Sequence, residues 1–145
     1  MQQYLRDREM DIRREPIVLD NSRLRYVNAA GIYLPFLRGV ASDMTGANFR
    51  NGSFFSAYLK RARFASAVLA YTDLAETDFR CADLEGANCW KSEFAQTDLR
   101  NVRNLHKAKH LGDAHYHKTK INKTDKQVIE SALLGRNLFD LANVA

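Results

Sequence analysis

The sequence is poor in the residues that punctuate or crosslink small domains. Its 145 residues include two Pro, seven Gly, two Cys and one Trp. Two Cys cannot build a disulfide framework and favour a reducing compartment. No apolar run approaches the roughly 18 residues of a membrane span, and the charged segment 1–14 lacks the apolar centre of a secretory signal. We therefore expect a cytoplasmic protein with no membrane-embedded part.

Signatures of catalysis are also missing. The sequence contains no G-x-S-x-G, P-loop, H-E-x-x-H or C-x-x-C motif. All four His lie within residues 106–117, so the long segment before them has no imidazole for a Ser/His/Asp or Cys/His site. We predict that the protein is not an enzyme and that it uses no cofactor.

The four His form the only cluster with metal-ligand chemistry: His106, His110, His115 and His117. The first two have the i,i+4 spacing that places two imidazoles on one face of a helix. No third ligand follows at a fixed spacing, and the flanking Lys107 and Lys109 repel cations. We interpret the cluster as a polar end cap and predict no metal site.

The segment 42–101 repeats with a period of five. Counted from Ser42, the third position of every pentapeptide is apolar: Met44, Phe49, Phe54, Leu59, Phe64, Leu69, Leu74, Phe79, Leu84, Cys89, Phe94 and Leu99. The first position is always Ala, Gly, Ser or Thr. The probability that twelve small residues fall at this position by chance is on the order of one in ten million. A period of five fits neither a helix nor a long strand, and it indicates short extended segments joined by regular turns.

Blocks such as ANFRN, ADLEG, TDLAE and TDLRN resemble the A(D/N)LXX pattern of the pentapeptide-repeat family. The resemblance implies a right-handed quadrilateral β-helix, an all-β solenoid with four pentapeptides in each coil. In such a coil the twelve apolar third positions form the structural core, and Cys89 is a buried, inert member of it.

The pattern divides the chain into three segments. Residues 1–16 are predicted to form a short N-terminal capping helix, because open β-helix ends need cover. Residues 17–104 are predicted to form about four coils, regular over 42–101. Residues 105–145 are predicted to form a C-terminal cap. It contains a helix over about 125–134, with Thr124 and Gln127 in a capping box, followed by an apolar tail.

Equivalent residues of successive coils stack, which predicts the outward surface. Arg23, Asp43, Arg63, Asp83 and Arg103 form a column of alternating charge, which we interpret as structural. Lys60, Arg80 and Arg100 form an adjacent basic stripe. The candidate partner surface joins that stripe with outward aromatic residues and consists of Phe55, Tyr58, Lys60, Arg61, Arg63, Tyr71, Arg80, Trp90 and Arg100.

The sequence predicts a non-catalytic scaffold for an unknown protein partner. One alternative is a DNA-mimicking gyrase-binding protein of the quinolone-resistance type, which the family includes. A DNA mimic needs a negative surface, whereas residues 20–104 contain 11 Lys/Arg and 9 Asp/Glu. A second alternative is weak nucleic-acid binding by the basic stripe, although we do not expect a nucleic-acid partner. The apolar tail is a candidate homodimer contact.

Overall fold

The walls of the molecule are built from parallel pairs between equivalent residues of successive coils. In the computed structural model, which describes residues 15–135, single-residue parallel bridges stack into four ladders. We call them wall 1 (Val18, Arg38, Tyr58, Asp78, Asp98, Lys120), wall 2 (Arg23, Asp43, Arg63, Asp83, Arg103), wall 3 (Asn28, Asn48, Val68, Asn88, Lys109) and wall 4 (Tyr33, Ser53, Asp73, Glu93, His115). The chain visits the walls in this order once in every coil.

Each turn between walls uses the same backbone geometry. Every fifth residue from Asn21 to Asn101 has a positive φ, and most of these positions hold a residue other than Gly. A positive φ is unfavourable for a residue with a Cβ. In several turns an Asp or Asn three residues earlier offsets part of this cost by accepting a backbone N–H of the turn. For example, Asp78 Oδ1 accepts the backbone N–H of Arg80, and Asp98 Oδ1 accepts that of Arg100. The D/N position of the pentapeptide therefore closes the turn that follows it.

The twelve apolar third positions all lie in the interior, with exposures of 3% or less. Phe64 and Phe79 pack with ring centroids 5.2 Å apart, and Phe49 meets Phe54 edge to face at 4.9 Å. The small first positions are buried beside them. The hydroxyls of Thr72, Thr77, Ser92 and Thr97 donate to carbonyls of the coil below, whereas that of Ser42 donates to Gly39 in its own coil. Thr72 and Thr97, for instance, donate to the carbonyls of Phe49 and Leu74 at 2.9 and 2.7 Å.

The parallel pairing extends past residue 104, where the sequence analysis ended the β-helix. Asn88 pairs with Lys109 and Asp98 pairs with Lys120, so these pairs are more widely spaced along the chain than those of the regular coils. The first added residue moves the inward position from Asn104 to Leu105, which is 2% exposed. The strict period of five missed this terminal coil (residues 102–120) because the added residues shift the phase of the apolar positions.

The segment after residue 104 contains short helical turns instead of the continuous helix that would align His106 and His110. One 3-10 turn spans Leu105–Lys107 and another spans Leu111–Asp113. His110 lies between them with φ 60°, a left-handed conformation that an α-helix does not contain. The two imidazoles therefore do not share a helical face.

The single α-helix of residues 15–135, α1, spans Lys123–Leu134. It begins after Asn122, so the predicted capping box of Thr124 and Gln127 is wrong, and no side chain caps this end. Ile129 is buried against the terminal coil. Gly112 lets the helix approach closely, because a Cβ added there would lie 2.6 Å from the Ala132 carbonyl oxygen.

The predicted N-terminal helix falls mostly on residues 1–14, and the apolar tail falls on residues 136–145. Both segments lie outside the described residues. Between them, no helix of the described chain is long and apolar enough to cross a bilayer.

Candidate interaction surface

Wall 1 and the turn that follows it contain the predicted basic stripe, and its arginines are engaged by carboxylates. Arg80 makes two hydrogen bonds to Asp78, at 2.9 and 2.7 Å, and Arg100 makes the same pair to Asp98. The Nε of Arg80 also lies 3.8 Å from Asp98. The two arginines of the stripe therefore alternate with Asp78 and Asp98 along the coil axis.

The pKa shifts of Asp78 and Asp98 on wall 1 follow from these contacts. Hydrogen bonds from the side chain of Arg100, together with its backbone N–H, hold the pKa of Asp98 below its usual range despite partial burial. Burial alone raises the pKa of Asp78, but the hydrogen bonds from Arg80 outweigh it and the net pKa is lowered. Both carboxylates remain ionised at neutral pH and neutralise the two guanidinium groups.

Wall 2 contains the column of alternating charge. Arg103 lies 3.7 Å from Asp83, and Arg25 lies 3.8 Å from Asp43. The pKa of Asp43 is lowered chiefly by the hydrogen bond from the Thr45 hydroxyl, with smaller contributions from Arg63 and Arg25. Opposite charges therefore face each other at successive levels of the wall.

The structure does not bring the predicted partner residues together on one face. Tyr58, Lys60, Arg61, Arg80 and Arg100 lie on wall 1 or the turn after it. Arg63 lies on wall 2, and Phe55 lies on the turn after wall 4, edge to face with Phe36 at 6.1 Å. Tyr71 and Trp90 lie together on the turn after wall 3. Residues that sequence reasoning grouped by type are thus spread over the four walls and their turns.

The turn after wall 3 forms a compact aromatic and cationic cluster. The rings of Tyr71 and Trp90 meet edge to face at 5.2 Å. Arg50 lies over the Tyr71 ring at 5.4 Å, and the Lys91 ammonium lies 5.7 Å from Tyr71 and 5.5 Å from Trp90. We call these four residues the wall 3 corner. Arg50 and Lys91 were not among the residues predicted from the sequence. The stacking of successive coils could have indicated them, because it places both beside Tyr71.

Wall 4 has the opposite charge. Its outward residues include Asp73, Glu76 and Glu93, with no Lys or Arg over residues 32–36, 52–56, 72–76 and 92–96. The Ser56 hydroxyl donates to Glu76 at 3.1 Å, one coil above. Walls 3 and 4 meet at the turn that contains Tyr71, so positive and negative surfaces adjoin along one edge.

The histidines lie at the C-terminal end, beside α1. His106 and His110 line an open groove of about 740 Å³ between the 3-10 turns and the helix. His110 Nδ1 lies 3.3 Å from Asp113, and His115 Nδ1 lies 3.7 Å from Glu93. Among residues 15–135 no three His, Cys, Asp or Glu side chains converge as a metal site would require.

The two cysteines are free and differ in environment. Cys89 is fully buried in the core, and burial raises the pKa of its thiol to about 12. Cys81 is partly exposed at the turn after wall 1. The Cys89 thiol is therefore protonated at neutral pH and serves as a small apolar side chain.

The comparison with family models agrees with this geometry. Eight copies of the pentapeptide-repeat model match residues 42–80, 57–88 and 77–109. The chain belongs to the pentapeptide-repeat family. The predicted resemblance is thus confirmed, and the match reaches Lys109, past the predicted boundary at 104 and into the terminal coil.

A solved pentapeptide-repeat protein shares the fold at low sequence identity. A pentapeptide-repeat protein from the thylakoid lumen of Arabidopsis thaliana is 20% identical, with a TM-score of 0.56 over 75% of this chain and 78% of its own. QnrB1, a plasmid-mediated fluoroquinolone resistance protein, is 16% identical, with a TM-score of 0.46 over 85% of this chain and 66% of its own. No curated protein matches the sequence significantly. The four parallel ladders and the family match indicate that the repeat forms a right-handed quadrilateral β-helix, as the resemblance implied.

Proposed function

We propose that this pentapeptide-repeat protein is a non-catalytic scaffold that binds a protein partner through one of its walls. The observation that supports this most directly is that the positions of the pentapeptide have separate structural roles. The first and third positions fill the interior, whereas the remaining positions display different chemistry on each wall. A rigid rod with distinct flat faces suits recognition of another macromolecule.

Several features support binding over catalysis. The walls from residue 17 to 104 contain no His, and their carboxylates stand on flat surfaces. Enzyme sites are usually concave and shield their reacting groups from water. Three grooves, lined in part by His106, by Tyr116 and by Pro16, lie near the ends of the described chain and outside the regular repeat. We also propose that α1 closes the C-terminal end of the rod, because Ile129 and Gly112 pack it against the terminal coil.

The test is affinity capture from the native host with one variant for each wall. Suitable substitutions are Arg100→Gln for wall 1, Arg63→Gln for wall 2, Lys91→Gln for wall 3 and Glu93→Gln for wall 4. The scaffold proposal expects one variant to lose a specific captured protein while the other three retain it. Equal capture by all four variants, each with an unchanged melting temperature, contradicts the proposal.

The gyrase-binding alternative makes a different prediction. A DNA mimic competes for a positively charged groove and needs a predominantly negative surface. The regular coils are close to neutral, and wall 4 alone is purely acidic. Protection of gyrase supercoiling from a fluoroquinolone by the purified protein would favour the alternative over a scaffold of another kind.

Compartment and assembly remain part of the proposal. Two free thiols, one of them partly exposed, suit a reducing cytoplasm. A homodimer through the segment after Gly135 is expected to appear in sedimentation experiments as a concentration-dependent species of twice the monomer mass of 16.6 kDa. A single species of monomer mass at all concentrations would contradict the dimer.

A further inference from the structure

Wall 3 differs from the other walls in having no acidic residue in the regular coils. Residues 27–31, 47–51, 67–71 and 87–91 contain no Asp or Glu, whereas each other wall contains three when the first coil is included, over residues 17–104. Its ladder consists of Asn28, Asn48, Val68, Asn88 and Lys109. Wall 3 is therefore a neutral amide surface with cations at its edge and end.

Within the described chain, the two cations of the wall 3 corner also lack carboxylate partners. Arg80 and Arg100 on wall 1 are held by Asp78 and Asp98, at 2.7 Å in each case. By contrast, neither Arg50 nor Lys91 forms a salt bridge with any residue of 15–135. They rest over aromatic rings instead, which leaves their charge without a neutralising carboxylate there.

From these observations we propose that the wall 3 corner binds an acidic segment of a protein partner. The proposal rests on the scaffold function and names its surface. Arg50, Tyr71 and Trp90 are residue types that dominate binding energy at protein interfaces. Arg50 and Lys91 lie two coils apart, roughly 10 Å along the axis, so two carboxylates of one segment can pair with them across the rings.

The geometry favours a protein segment over a nucleic acid. Single-stranded nucleic acids bind by stacking bases on free aromatic faces, but Arg50 and Lys91 already cover faces of the two rings. At the end of the corner, the Lys91 backbone N–H donates to the Asp113 carbonyl oxygen at 3.2 Å, and the Asp113 carboxylate lies 3.3 Å from His110 Nδ1.

Trp90 provides a direct readout because it is the only Trp in the chain. The experiment titrates the full chain with a synthetic deca-glutamate peptide and records Trp emission at two salt concentrations. A neutral Gly/Ser peptide of equal length and a decameric oligothymidine are titrated in parallel. We expect a saturable emission change with deca-glutamate that weakens as salt rises, and no saturable change with the neutral peptide.

Two double variants locate the binding. Arg50→Gln with Lys91→Gln is expected to weaken deca-glutamate binding about tenfold or more. The matched control, Arg80→Gln with Arg100→Gln, removes the same number of cations from wall 1 and is expected to change the affinity less than about twofold. Each titration is normalised to the starting emission of its own variant, and circular dichroism checks the fold.

Three outcomes would overturn the proposal. One is the lack of a saturable change with deca-glutamate, another is an equal loss in the wall 1 control, and the third is tighter binding of the oligothymidine than of the peptide. The scaffold function survives any of these if capture from the native host depends on another wall. It fails separately if no wall variant changes capture.

Discussion

The regular coils and the terminal coil achieve the same pairing with different sequences. From residue 42 to 101 the chain repeats every five positions, and each wall residue pairs with its equivalent in the next coil. In the terminal coil the spacing between paired residues grows, yet the parallel ladders continue to Lys120. The added residues fall in the turns, near Asn104 and the second 3-10 turn. The walls therefore tolerate extra residues at the corners, provided that an apolar side chain returns to the interior.

The two regions also differ in what covers their core. In the regular coils each inward side chain is packed between the coils below and above it. In the terminal coil, Tyr116 stacks on Phe94 at 5.6 Å, and α1 supplies the remaining cover. We expect the regular coils to be the more sensitive to changes in the interior.

The largest expected effect comes from a charge in the middle of the core. Leu74→Asp buries a carboxylate without a partner and should cost several kcal/mol or prevent folding. The milder Leu74→Ala should lower the free energy of unfolding by about 3 kcal/mol. Urea denaturation followed by circular dichroism measures both. Leu105→Ala in the terminal coil should cost less, and equal costs would contradict the comparison.

A smaller effect should separate the helix from the coils. Gly112→Ala places a Cβ 2.6 Å from the Ala132 carbonyl oxygen, so α1 must shift or detach. We expect faster amide exchange across Lys123–Leu134, with the exchange of residues 42–101 unchanged. Loss of protection throughout the coils would show that α1 and the regular repeat unfold as one unit.

The carboxylates of the walls predict a dependence of stability on pH. The pKa values of Asp43, Asp78, Asp83 and Asp98 are lowered in the folded protein. Their contribution is present above the unfolded value, near 3.8, and is lost as the pH falls through the folded values. The melting temperature should therefore fall below about pH 4. Arg100→Gln should reduce this dependence, and an unchanged profile would count against the role of Asp98.

The smallest expected effect concerns the turns. Gln96 has a φ of 57°, which a residue with a Cβ adopts at some cost. Gln96→Gly should raise the free energy of unfolding by up to about 1 kcal/mol, whereas the β-branched Gln96→Val should lower it. Thermal denaturation of the pair tests this, and the same ranking at Glu76 would extend it to the coil below. Equal stability of the two variants would contradict the strained turn.

The sequence predicted the repeat and its interior because a period of five repeats the same requirements at each level. An apolar side chain at Phe64, a small one at Ala62 and a turn-closing carboxylate at Asp83 each satisfy a local rule. The terminal coil was not predicted because a single added residue before Leu105 shifts the apolar positions out of the period of five. The parallel pairing between coils nevertheless continues. The capping box at Thr124 failed because the helix begins at Lys123, two residues before the predicted start at 125.

The amino-acid sequence by itself determined the family, the β-helix and the side chains that fill it, since these follow from a local repeat. Only the tertiary structure decided which surface charges are paired with carboxylates. Stacking places Asp98 between Arg80 and Arg100 and helps to neutralise these two arginines of the basic stripe, whereas it places Arg50 and Lys91 beside Tyr71 and Trp90. Net charge and spacing along the chain do not report this pairing, because it depends on contacts between side chains that different coils bring together.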